Sequence, residues 1–187
     1  MSKIYFFRHA QASLGADNYD QLSAKGKLQS LELGKYLVSK KKRFDRVYVG
    51  PLKRQQHTFE IVKKVYDENN LFLPKPILEK GLLEHNGHKA MEHMLPTLIK
   101  TVPFVKELVE QNNANPERKK ANSLIIFQYF LNEWAEGRMN VEGILPWKAF
   151  RNEVKKGLNS ILNDTGSGEN IAAFTSGGTI ASITAES

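Results

Sequence analysis

The chain reads as an α/β protein, a three-layer αβα sandwich around a mostly parallel sheet. Three observations predict that class. An apolar run at residues 4–7 has no polar alternation and fits a strand buried on both faces. Helical periodicity then alternates with a second short strand at 46–49, in the order strand, helix, strand, helix, which argues for right-handed crossovers. Finally, Arg8 and His9 end the first run abruptly, and Gly177 and Gly178 follow a further buried strand at 171–174. Sheets of this class bind ligands at the carboxyl ends of their strands.

The elements follow in order. Residues 11–21 form a polar loop with Gly15, Asp17 and Asn18. Ser23 is a suitable N-cap for a helix reaching about Lys40, with Leu28, Leu31, Leu33, Tyr36 and Leu37 as its apolar side. Gly26 lies in its first turns, where it costs stability and permits close approach. After the strand at 46–49, Pro51 opens a second helix to about Tyr66. Residues 71–90 carry Pro74, Pro76, Gly81 and Gly87 and read as loop with a short extended piece near Ile77.

From about Met91 to Asn163 the pattern is helical. A helix at 103–111 turns Phe104, Val105, Leu108 and Val109 to a core. A second, at 123–136, is rich in Leu124, Ile125, Phe127, Phe130, Leu131 and Trp134. A third, at 147–162, carries Phe150, Val154, Leu158 and Ile161 at helical spacing. Residues 1–187 are read as a single domain with a helical insertion at about 91–145 that caps or flanks the sheet. The sequence stops one or two turns into a last helix. Either a terminal helix and edge strand lie beyond Ser187, or the fold ends there unusually.

Composition narrows the function. The chain has 187 residues, is 41% hydrophobic and 25% charged, and contains no cysteine, so disulfides and thiolate metal sites are excluded. It has no apolar run of bilayer length and no signal-peptide pattern at its start, which makes a cytoplasmic location the default and a membrane partner unexpected. Lys plus Arg number 27 against 20 Asp plus Glu, a net charge of +7 that favours anionic ligands. The densest basic run, residues 39–43, has no interleaved aromatic platform and reads as a solvated helix terminus, so nucleic acid is not an expected partner.

The polar groups at the strand ends suggest anion chemistry. The Arg8 guanidinium suits bidentate capture of phosphate or carboxylate, and the His9 imidazole suits a nucleophile or acid-base group. Arg54 opens the second helix, Glu84 lies in a loop, and Gly177-Gly178 opens a helix whose backbone N–H groups face outward.

These residues occur in an ordered set: FFRHAQAS at 6–13, LSAKGKLQ at 22–29, VGPLKRQQHT at 49–58, LLE at 82–84 and FTSGGTIA at 174–181. The set resembles the histidine phosphatase superfamily, the phosphoglycerate mutase-like fold, along the chain from Lys3 except for the insertion. The resemblance implies that His9 accepts a phosphoryl group to give a phosphohistidine. Arg8, Arg54, Ser176 and Gly177 would hold the phosphate oxygens, and Glu84 would protonate the leaving alkoxide from a setting partly desolvated by Leu82 and Leu83. No cofactor or metal is expected.

Three residues depart from the family pattern. Ala10 replaces a glycine, Gly50 a serine, and Ser176 the second histidine, a cationic donor to the phosphate. Losing one preorganised donor costs about 3 kcal/mol of transition-state stabilisation, a hundredfold in rate. His57, three residues after Arg54, and His85, beside Glu84, are candidates to compensate. A branch of the family with TSGG beside RHxQAS resembles this chain, making Ser176 native chemistry. A metal site of His85, His88, Glu92 and His93 is the other use of those histidines, although their spacing matches no strong zinc pattern.

The leading expectation is thus a phosphatase acting on a small phosphorylated molecule or phosphoprotein through His9. The alternatives are a catalytically weak phosphate-ligand or protein-binding module, and a phosphoglycerate mutase-like phosphotransferase. Sequence leaves the substrate and oligomeric state open.

Overall fold

The computed structural model describes residues 1–13 and 20–185, so Gly15, Asp17 and Asn18 of the expected loop lie outside the described residues. Its elements are β1 (Lys3–Arg8), α1 (Ala24–Ser39), β2 (Arg46–Val49), α2 (Lys53–Glu68), β3 (Pro76–Leu78), a 3-10 turn (Lys80–Leu82), α3 (Gly87–Thr101), α4 (Pro103–Ala114), a second 3-10 turn (Pro116–Arg118), α5 (Lys119–Ala135), α6 (Trp147–Asp164), β4 (Asn170–Thr175) and α7 (Gly177–Thr184). They divide into two compact units, one of Met1–Glu84 with Arg151–Ser187, the other His85–Phe150.

The first unit holds a four-stranded sheet of order β1-β4-β2-β3 in which every pairing is parallel. The register sets Phe7 beside Phe174 and Phe174 beside Val49, which aligns the carboxyl ends of the three strands. Side-chain alternation sends residues to opposite faces. On one face Tyr5, Phe7, Val47, Val49, Ala172 and Phe174 pack with Leu37 of α1 and Phe59, Val62 and Tyr66 of α2. On the other, Ile4, Phe6, Tyr48, Ile171 and Ala173 pack with Ile161 of α6 and with Leu82. The result is the three-layer αβα sandwich, with each fully buried Val, Ile or Phe contributing about 1.5–3 kcal/mol.

Two expectations about packing are corrected. The run at 4–7 is covered on both faces but only half-buried, because among the described residues β1 pairs only with β4. The fully buried strand is β4, flanked on both edges.

The second correction concerns α1. Ser23 does cap it, Oγ accepting from Gly26 N at 3.0 Å. Leu37 is buried and Leu33 packs against the core as expected, but the other inward residues are Gly26, Ser30 and Gly34, while Leu28 and Tyr36 are exposed. Small side chains let α1 lie close against α2, where a Cβ on Gly34 would come within 2.9 Å of Val65. A bulky apolar face would hold the helices apart.

The second unit is helical, and its core comprises Ala90, Leu98, Val105, Ile126, Phe130, Trp134 and Val141. α3 starts already at Gly87. α5 buries Asn122, Ile126, Phe130 and Trp134, a stripe at every fourth residue, so Leu124 and Ile125 point to solvent, as does Phe104 of α4. Among the described residues no helix is long and apolar enough to cross a membrane.

Candidate active site

Arg8 is the last residue of β1, and His9 follows it with its backbone N–H donating to the Thr175 carbonyl at 2.8 Å. This extends the parallel ladder by one residue and fixes the ring's point of departure. The imidazole is buried, and its two nitrogens have different partners. Nδ1 lies 2.8 Å from the Ala10 carbonyl oxygen, which can only accept, so Nδ1 carries the proton. Nε2 lies 3.1 Å from Arg54 Nε, whose N–H can only donate, so Nε2 presents its lone pair. Both contacts select one tautomer. Burial pushes the ring's pKa down to about 4, aided by the charges of Arg54 and Arg8 against the opposing Ala10 bond and Asp20. His9 is therefore neutral at pH 7.

Arg54 is buried in the first turn of α2. Its Nη1 pairs with Asp20 Oδ1 at 2.9 Å. The same carboxylate accepts from Lys53 N at 2.8 Å and from Arg54 N at 3.3 Å, so a distant loop residue caps the positive end of α2. Thr58, one turn on, accepts from Ala10 N at 3.1 Å and donates to the Arg54 carbonyl at 2.8 Å. That hydroxyl ties the chain after His9 to α2 and so orients the carbonyl that holds Nδ1.

Ser176 and Gly177 open α7. Arg8 runs beside Gly177, where an added Cβ would lie 3.4 Å from Arg8 Nε. Gly178 N makes a long 3.5 Å contact to Glu84 Oε2, which puts the carboxylate at the helix start. Thr179 Oγ1 donates to the Leu83 carbonyl, anchoring the Glu84 loop to the same turn. Ser176 is fully buried, and its Oγ lies 2.8 Å from Gln55 Nε2. Gln55 in turn donates to the Leu82 carbonyl at 2.9 Å.

The structure thus brings Arg8, His9, Arg54, Glu84, Ser176 and Gly177 onto the carboxyl end of one sheet. His57 is half-buried on α2, and the helix meets the site through Gln55 and Thr58 instead. His85 belongs to the helical unit, where its ring packs edge-on against Trp134, Trp147 and Phe150 and its Nδ1 accepts from Gly87 N at 3.1 Å. His88 stacks on Phe127. Among the described residues no group of three or more His, Cys, Asp or Glu is placed to hold a metal ion.

Sequence reading missed Asp20, Gln55 and Thr58. The one available signal was position: Thr58 lies four residues after Arg54 and three after Gln55, spacings that make neighbours on a helix surface.

The arrangement combines a neutral, oriented imidazole, two guanidinium groups, a helix start and a carboxylate. Such a set can hold a tetrahedral dianion and offer a nucleophile to its centre. Comparison with known proteins agrees in kind. A family model of the histidine phosphatase superfamily (branch 1) matches residues 4–117, more than half of the chain. Phosphoglycerate mutase from Bacillus anthracis str. Sterne superposes with a TM-score of 0.62 at 18% identity, covering 98% of this chain and 78% of its own. Alpha-ribazole phosphatase from Shigella flexneri gives 0.57 at 18% identity, with the same coverage of 98% and 78%. A mycobacterial glucosyl-3-phosphoglycerate phosphatase gives 0.56 at 14% identity, covering 97% and 76%. These likenesses are of fold. No curated protein matches the sequence.

Proposed function

The chain belongs to the histidine phosphatase superfamily, branch 1, and from that membership and the site geometry we propose that it hydrolyses phosphate monoesters through a phosphohistidine on His9. The observation that carries this reading is the state of the His9 ring: uncharged, Nδ1–H bound to the Ala10 carbonyl, and the Nε2 lone pair turned to Arg54.

In the proposed reaction the substrate phosphate enters between Nε2 and the Arg54 guanidinium, displacing their hydrogen bond. Arg8, Arg54, Ser176 and the Gly177 N–H hold its nonbridging oxygens. Nε2 attacks phosphorus, the bond to the ester oxygen breaks, and Glu84 gives its proton to the departing oxygen. The Ala10 carbonyl stabilises the positive ring that results. Water then attacks phosphorus, Glu84 takes the water's proton, the P–N bond breaks, and the electron pair returns to Nε2 as inorganic phosphate leaves. Ser176 serves as a neutral donor to the phosphate. The substrate is a small phosphorylated molecule or a phosphoprotein, drawn by a net charge of +7.

The test is turnover of p-nitrophenyl phosphate by wild type and His9→Ala. Hydrolysis in wild type that is lost in the variant supports the reading. Hydrolysis that survives His9→Ala contradicts it, and phosphate binding with no hydrolysis points to a binding module.

A further inference from the structure

We propose that Gln55 is a positioning residue for phosphate capture: its side-chain amide takes a lone pair of Ser176 Oγ and leaves the Ser176 hydroxyl proton to be donated to the substrate. This deepens the phosphatase reading of the site and rests on it.

Gln55 is fully buried in the first turn of α2, and three bonds fix its amide. Oε1 accepts from Leu52 N at 3.0 Å, while Nε2 donates to the Leu82 carbonyl at 2.9 Å and to Ser176 Oγ at 2.8 Å. Leu52 N can only donate and the Leu82 carbonyl can only accept, so the amide has one orientation. Both Nε2 hydrogens are then used, and Ser176 must be the acceptor in its bond with Gln55.

A serine at a helix N-cap ordinarily turns its oxygen to that helix's own N–H groups. Ser176 is the N-cap of α7 and makes no such bond. Its oxygen faces Gln55, and among the described residues its proton has no acceptor. Ser176 directly precedes Gly177, along which Arg8 runs. A ligand oxygen held by Arg8 and the Gly177 N–H is the natural acceptor of that proton.

Gly50 completes the arrangement. A Cβ at that position would run into Gln55 Oε1 and the Leu82 carbonyl oxygen. The glycine therefore makes room for the amide that reaches Ser176. Two departures seen separately in the sequence, Gly50 and Ser176, are joined by one side chain.

The experiment measures p-nitrophenyl phosphate kinetics and inorganic phosphate affinity for Ser176→Ala, Gln55→Met and the double variant. Methionine keeps the volume and removes the amide. Ser176→Ala is expected to lower kcat about a hundredfold with a smaller change in KM. Gln55→Met should lower kcat as well, and the double variant should be no worse than Ser176→Ala, because Gln55 acts through Ser176. Losses that multiply in the double variant, or a Ser176→Ala enzyme like wild type, overturn the proposal.

A second readout needs no change at position 55. The Gln55 side-chain amide resonance should shift on adding inorganic phosphate to wild type and stay still in Ser176→Ala. An unmoved resonance in phosphate-bound wild type overturns the proposal. Phosphate affinity that follows the Ser176 and Gln55 pattern while turnover ignores His9→Ala supports it and sinks the phosphatase reading. Neither turnover nor phosphate binding overturns both.

Discussion

In the proposed reaction His9 acts as a free base, and its surroundings keep it one. Burial, Arg54 and Arg8 hold its pKa at about 4, against an ordinary value of 6.5. The sign of the stability effect follows. The unfolded chain binds a proton at this histidine near pH 6.5 while the folded chain does so only near 4, so acid favours unfolding across that window. The urea midpoint should fall as pH drops from 6.5 to 4, and His9→Gln should flatten the fall. Turnover should keep its His9-dependent step down to about pH 4; a His9 proton titrating near 6.5 by NMR would contradict this account. At Gly50, substitution by serine forces a side chain against Gln55 and the Leu82 carbonyl. Overpacking of this kind costs about 1–3 kcal/mol, read as a lower urea midpoint with an unchanged slope. Single residues also mark how far sequence could be read. Arg8 and His9 were legible because they end an apolar strand abruptly, and Ser176 because the family resemblance places a histidine at its position. Asp20, Thr58 and Gln55 were not, since their partners lie 34, 48 and 121 residues away and only folding joins them.

Among elements, α2 has the largest part, because its first two turns supply Arg54, Gln55 and Thr58. No residue at its own N-cap offers a side-chain acceptor, and Asp20 fills that need from the distant loop before α1. Asp20→Ala should therefore destabilise the fold by about 1–2 kcal/mol and lower kcat for p-nitrophenyl phosphate, by freeing both the helix start and the Arg54 guanidinium. Wild-type values for both would remove Asp20 from the account. The order of strands and helices was legible from periodicity, as was the Ser23 cap. Which face of a helix turns inward was less so. α1 buries Gly26 against the Gln11 backbone and Gly34 against Val65 of α2, close contacts that only small residues allow, whereas composition alone favours Leu28 and Tyr36. In α5 the stripe from Asn122 to Trp134 wins over the adjacent Leu124 and Ile125 for a similar reason: one face must be chosen, and a packed tryptophan decides it.

At the scale of the molecule, a parallel sheet gathers residues from distant parts of the chain at one end of its strands. Its register aligns Arg8 with Thr175 and Val49 with Phe174, so the loops that follow three strands emerge together. Ligand binding there stabilises the unit that holds the sheet. Inorganic phosphate at a hundred times its Kd should add about 2.7 kcal/mol of stability, seen as a raised Tm, and Arg54→Ala should remove the increase. A Tm indifferent to phosphate in wild type would count against an anion site. The basic surface adds a second test at this scale: KM for a phosphate ester should rise with added sodium chloride as the attraction is screened. The proposed reaction turns on one bond, between phosphorus and His9 Nε2. Phosphorus-31 NMR of protein quenched in alkali during turnover detects that bond. A phosphoramidate signal on the Nε2 side of His9 is expected, absent from His9→Ala. A turning-over enzyme with no such signal, or with phosphorus on another residue, contradicts that reaction.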